Sequence, residues 1–153
     1  MSLNKSSMFA EGVRRLGNGS IDFDTHVIKA VLMRTSFANT TFTDANRDAF
    51  DFLDDIPTAD RAKDGAFPTL AAADIVMDAA NNNVKYADGT TTISFTVVPT
   101  SLPVRGVVIF KSSGAESASP VICYNHFTAA ATSDGGTVTV TLNADGLFRA
   151  SYD

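Results

Sequence analysis

Residues 27–33 read Val27-Ile28-Lys29-Ala30-Val31-Leu32-Met33, a run with apolar, often β-branched side chains at odd and even positions alike. Successive side chains on a strand point to opposite faces. A strand of this composition must therefore be covered on both sides or lie beside an interface. Arg105-Gly106-Val107-Val108-Ile109-Phe110-Lys111 repeats the pattern, and residues 121–127 open with Val121-Ile122-Cys123-Tyr124. A second kind of strand alternates instead. In residues 90–98, Ile93, Phe95 and Val97 interleave with Thr92, Ser94 and Thr96, and residues 137–142 behave likewise. That is the period of a strand buried on one face. Shorter strands are expected at 84–87 and 147–152, while Ile75-Val76-Met77 is strand-like inside an ambiguous, alanine-rich stretch at 71–80.

Turn chemistry separates these runs: Gly17-Asn18-Gly19, Asn81-Asn82-Asn83, Asp88-Gly89, Ser112-Ser113-Gly114 and Asn143-Ala144-Asp145-Gly146. Composition points the same way. The 153 residues include 17 Thr and 15 Asp but only 2 Glu, whereas helix-rich chains draw on Glu, Lys and Leu. The expected fold is mainly β, an antiparallel β-sandwich or jelly-roll-like barrel, as a single domain over residues 1–153. Residues 1–20 read as an N-terminal helix or arm. Its helix is expected over 4–16, with Met8, Phe9, Val13 and Leu16 near helical spacing and Ser6 or Ser7 as cap. Residues 37–70 read as a long irregular mid-chain segment, extended or partly helical. A helix over 44–54 capped by Asp44 and an ordered loop are both open there. Residues 129–136 read as a flexible loop of small residues.

The charge sum of 12 Lys and Arg against 17 Asp and Glu is −5, which lacks the electrostatic footprint of a nucleic-acid binder. No apolar stretch approaches the roughly 18 residues of a membrane span, and the N-terminus lacks the apolar core of a secretory signal. A protein made in a reducing cytoplasm, with neither nucleic acid nor membrane as partner, is expected. Cys123 is the one cysteine, so no disulfide forms within the chain and a cysteine-rich zinc site is excluded. His26 and His126 have no acidic or nucleophilic neighbour in a recognisable catalytic frame. The Asp residues at 22, 24, 44, 48, 51, 54 and 55 could in principle hold calcium. They lack an EF-hand spacing and a terminal bidentate Glu, so solvated or helix-capping roles are favoured. No catalytic residue, metal or cofactor is expected.

Eleven Phe and no Trp suit a protein packed by interlocking aromatics, within one chain or between chains. The mid-chain segment is too aromatic for a free linker and too aperiodic for a compact element. Such a segment is often ordered by a neighbouring chain. On that reading Phe9, Val13, Phe37, Phe42, Phe50, Phe52 and Phe67 form a candidate interface. The rival reading is an ordinary ordered loop that covers one end of the sandwich.

Three blocks carry a family resemblance: Gly106-Val107-Val108-Ile109-Phe110-Lys111, then Ser119-Pro120-Val121-Ile122-Cys123-Tyr124, then the stretch from Gly136 through Asn143-Ala144-Asp145-Gly146-Leu147. With Gly19-Ser20-Ile21-Asp22 and Thr25-His26-Val27-Ile28-Lys29-Ala30-Val31-Leu32 they resemble small virion structural proteins of tailed bacteriophages. The resemblance covers residues 5–33 and 84–150. The middle departs from the family pattern, so no contact there is carried over. It implies a non-enzymatic structural protein. Size, acidity and fold narrow this to a head decoration (cement) protein on the capsid exterior, binding the major capsid protein and forming a homo-oligomer, with a trimer favoured. A neck, tail or head-fibre component is the alternative, and a host-surface or carbohydrate-binding β-sandwich is the second.

Overall fold

The runs that are apolar on both parities form the middle of a four-stranded antiparallel sheet. A computed structural model describes residues 3–43, 47–62, 67–70, 75–78, 83–86, 92–141 and 149–151. In chain order the elements are β1 (Leu3–Met8), α1 (Ala10–Gly17), β2 (Ile28–Arg34), β3 (Ile75–Asp78), β4 (Asn83–Tyr86), β5 (Thr92–Phe95), β6 (Pro103–Lys111), β7 (Val121–Thr132), β8 (Val138–Thr141) and β9 (Arg149–Ser151). The main sheet has the order β1-β7-β6-β2, and β5 pairs with β8. A further sheet runs β3-β4-β9, with Met77 opposite Val84 and Val84 opposite Ala150. Every pairing is antiparallel, and the chain is mainly β as its sequence implies.

Parity assigns the two faces of the main sheet. Ile28, Ala30 and Leu32 of β2, with Val107 and Ile109 of β6, meet Ile93 and Phe95 of β5 and Val138 and Val140 of β8. That is the sandwich-like half of the molecule. The alternate residues, Val31, Met33, Val108, Phe110 and Tyr124, face a second cluster built by Phe9, Phe37, Phe50, Leu53 and Ile56. Thus the mid-chain segment is a wall of the core. A fully buried Phe or Leu favours folding by about 1.5–3 kcal/mol over an exposed one. The wall therefore contributes substantially to stability.

Two glycines let backbones approach closely. A Cβ at Gly106 would lie 2.3 Å from the Asn125 carbonyl oxygen and 2.7 Å from the Tyr124 ring. A Cβ at Gly12 would lie 2.5 Å from the Ile122 carbonyl oxygen, so α1 can rest directly on β7. That same oxygen accepts the Phe9 N–H at 3.0 Å.

Several local expectations are corrected. Residues 3–8 are strand, and the helix begins only at Ala10 after Phe9, without a side-chain cap from Ser6 or Ser7. Pairing along β7 satisfies the backbone of a polar stretch that has little apolar surface to pack as a helix. Residues 129–132 continue β7, because Ala131 and Thr132 pair with Val104 and Pro103. Residues 47–55 are no continuous helix: short 3₁₀ turns at Arg47–Ala49 and Leu53–Asp55 flank a bridge from Phe52 to Pro120. A cap at Asp44, the Asp88-Gly89 turn and the turn over 143–146 lie outside the described residues, as do Asn81 and Asn82.

Candidate functional site

The two edges of the main sheet are treated differently. Beside β2 the chain returns as residues 61–62 and 68–70. The Ala62 N–H donates to the Leu32 carbonyl at 2.8 Å, the Ala30 N–H to Pro68 at 3.0 Å and the Leu70 N–H to Ile28 at 2.9 Å. That edge is sealed. The opposite edge is β1, whose residues pair with β7, from Leu3 opposite Phe127 to Met8 opposite Cys123. Among the described residues no second strand pairs with β1. An edge strand presents a row of main-chain donors and acceptors to which another strand can add.

The aromatic residues expected to form an interface are mostly inside the protein. Phe9 and Phe37 are fully buried and Phe50 is nearly so. Phe42 is half-buried, edge-on to Phe9 with ring centres 5.2 Å apart and to Tyr124 at 5.0 Å. Phe67 packs edge-on against Phe110 at 5.3 Å. Phe52 is half-buried under the Arg15 guanidinium, 5.3 Å from its ring centre. These six side chains cover the second face of the main sheet or pack beside it, so they are not a free contact surface. Val13, 54% exposed on α1, is the one member that stands at the surface.

The polar groups weighed for chemistry hold the fold together. His26 Nδ1 accepts the Asp22 N–H at 2.9 Å, and Asp22 Oδ1 accepts the Asp24 N–H at 2.9 Å. The Asp24 N–H and the Thr25 hydroxyl hold the Asp22 carboxyl below its ordinary value. The His126 ring lies 4.3 Å from that of Tyr124. Cys123 is buried, with Asn125 Nδ2 donating to its sulfur at 3.3 Å. Asp55 Oδ2 accepts the N–H groups of Asp51 and Phe52, and Asp60 accepts the hydroxyls of Ser36 at 2.5 Å and Thr41 at 2.6 Å. Among the described residues no three His, Cys, Asp or Glu side chains converge in a way that suits a metal ion.

One exposed apolar residue is missed by the alternation argument. A strand through Val98 would put Val97 on the core side with Ile93 and Phe95. Instead β5 ends at Phe95, Val97 adopts a left-handed φ of 54°, and Val98 takes the buried place. Val97 is left 75% exposed. Pro99, two residues on, is the sequence signal that the strand has already stopped.

No protein-family model, no curated protein and no solved structure matches this chain.

Proposed function

We propose that this chain is a non-enzymatic structural protein of a tailed-bacteriophage virion, a decoration protein that binds the outer capsid surface and clips neighbouring major capsid subunits together. The observation that carries this reading is the asymmetry of the main sheet. One edge is sealed by the chain's own residues, and among the described residues no second strand pairs with the other, β1. Main-chain pairing along such an edge gives adhesion without a pocket, which is what a clip requires. The acidity of the chain suits an outer position away from packaged DNA. A homo-oligomer, with a trimer favoured, belongs to the same reading.

Copy number in purified virions tests it. Hundreds of copies per particle support decoration of the shell. Six or twelve copies favour a neck or tail component, and absence from particles refutes the reading. Removing residues 1–7 should leave a cooperatively folding protein, anchored by Phe9, that no longer sediments with shells. Undiminished co-sedimentation would remove β1 from the contact.

A further inference from the structure

We infer that Asn18-Gly19 is a self-modification site, at which the Gly19 main-chain nitrogen closes on the Asn18 side chain to yield isoaspartate, at a rate set by opening of the last turn of α1. Asn18 is the one asparagine of the chain that is followed by glycine. Elsewhere a side chain on the following residue crowds the attacking nitrogen, and glycine carries none. Asn18 and Gly19 are both exposed, and a Cβ placed on Gly19 would meet nothing within 4 Å. Water therefore reaches the reacting atoms, and ammonia has a free path out.

Water is the only co-reactant that the step needs. The Gly19 nitrogen loses its proton and bonds to Asn18 Cγ, the bond from Cγ to Nδ2 breaks, and Nδ2 departs with that proton as ammonia. Water then opens the succinimide ring. Cleavage at the Asn18 main-chain carbonyl leaves the chain running through the former side chain, as isoaspartate, whereas cleavage at Cγ leaves aspartate. The net change is from an amide and water to a carboxylate and ammonium, with nothing oxidised or reduced.

The fold holds these atoms out of reach of one another. Asn18 ends α1 with φ −97° and ψ 5°. Closing the five-membered ring brings the Gly19 nitrogen over Cβ, which takes a ψ of about −120°, the tetrahedral offset of Cβ from N around the Cα–C bond. The attacking Gly19 N–H also donates to the Leu16 carbonyl at 3.2 Å, and Asn18 Oδ1 accepts the Ser20 N–H at 3.0 Å. On either side the Asn18 N–H donates to the Arg14 carbonyl and the Ile21 N–H to that of Arg15, both at 3.1 Å. Ile21 is buried in the core and Phe9 anchors the start of α1, so the turn between can open while both stay in place. Reaction waits for that local opening. Isoaspartate then lengthens the main chain inside the turn, and the hydrogen bonds that closed it no longer fall in register.

Peptide mapping for isoaspartate on the full chain, folded and in urea at the same mildly alkaline pH, tests the inference together with hydrogen exchange at the Gly19 amide of the folded chain. Both samples should gain isoaspartate at position 18. The folded chain should convert about 10- to 100-fold more slowly, the factor for opening the two hydrogen bonds that hold the reacting groups. The Gly19 amide should be protected from exchange by the same factor to within about threefold, since one opening frees it for both reactions. Equal rates in the two samples overturn the inference, as does the absence of isoaspartate at position 18 in urea. So does a folded chain that converts more than about a thousandfold slower, because the site then opens only with global unfolding. A Gly19 amide that exchanges freely while conversion stays slow overturns the turn as the gate.

Discussion

Replacing Arg61 with Ala removes three hydrogen bonds that fasten the aromatic wall. Arg61 Nη2 donates to the carbonyl oxygens of Leu53 at 2.7 Å and Ile56 at 3.0 Å, while Nη1 donates to Glu116 Oε2 at 2.8 Å. The arginine side chain is 1% exposed and that of Glu116 is 39% exposed. The Ile56 carbonyl, left without this donor, costs about 1–3 kcal/mol, while the Leu53 carbonyl keeps the Ile56 N–H at 3.2 Å and an ion pair with one partner in solvent contributes about 1 kcal/mol or less. Arg61→Ala should therefore lose about 2–4 kcal/mol, a large share of the 5–15 kcal/mol typical of a domain. Glu116→Gln keeps an acceptor for Nη1 and should lose about 1 kcal/mol or less. Arg61→Met retains most of the volume but none of the donors, so it should fall close to Ala. The chain has no Trp, so urea unfolding is best followed by circular dichroism. The Ala variant should melt roughly 4–16 °C lower. An Arg61→Met variant within about 1 kcal/mol of wild type would show that packing alone holds the wall and refute the hydrogen-bond argument.

Three further outcomes are expected. The Tyr124 hydroxyl is buried with no hydrogen-bond partner among the described residues, and burial pushes its pKa up, so Tyr124→Phe should raise stability by about 1 kcal/mol. A loss in urea unfolding would reveal a partner for the hydroxyl. The hydrogen bond from Arg14 is the main cause holding the Glu11 carboxyl down to about 2, helped by Arg15 and opposed by burial. A depressed folded value means that its contribution is complete above the ordinary value of 4.5 and is lost as pH falls through about 2. The stability–pH curve of Glu11→Gln should be flatter than that of wild type across this window, and parallel curves would show that the pair contributes nothing. Removing residues 37–62 should uncover the second face of the main sheet and yield an insoluble or dye-binding, non-cooperative species. A soluble, cooperatively folding product would instead make that segment a detachable arm.

The strands at the centre were legible because Val27 to Met33 and Val107 to Phe110 are apolar on both parities, which only a doubly covered sheet accommodates. The alternation around Val138 and Val140 was equally plain. What escaped was decided by tertiary pairing. Nothing in Asn4, Lys5, Ser6 and Ser7 signals a strand until β7 is there to bond to it. Val97 escaped because period two says nothing about where a strand stops. The mid-chain aromatics supported both a contact with a neighbour and an internal cover. Clustering Phe9, Phe37 and Phe50 against Tyr124 takes contacts between residues far apart in sequence, which local pattern cannot supply. Most of the expected interface therefore turned inward, while the edge that β1 leaves unpaired among the described residues and the exposed Val97 emerged only from topology.

The aromatic wall also sets an order of events during synthesis. Phe37 and Tyr124 are 87 positions apart (124 − 37), so at about 5–20 residues per second the ribosome needs roughly 4–17 s to deliver the second after the first. For most of that interval Phe9 and Phe37, joined later by Phe50, lack the strands β6 and β7 that cover them in the finished fold. Chain termination anywhere before residue 124 therefore releases a fragment whose aromatic side chains have no completed sheet to cover them.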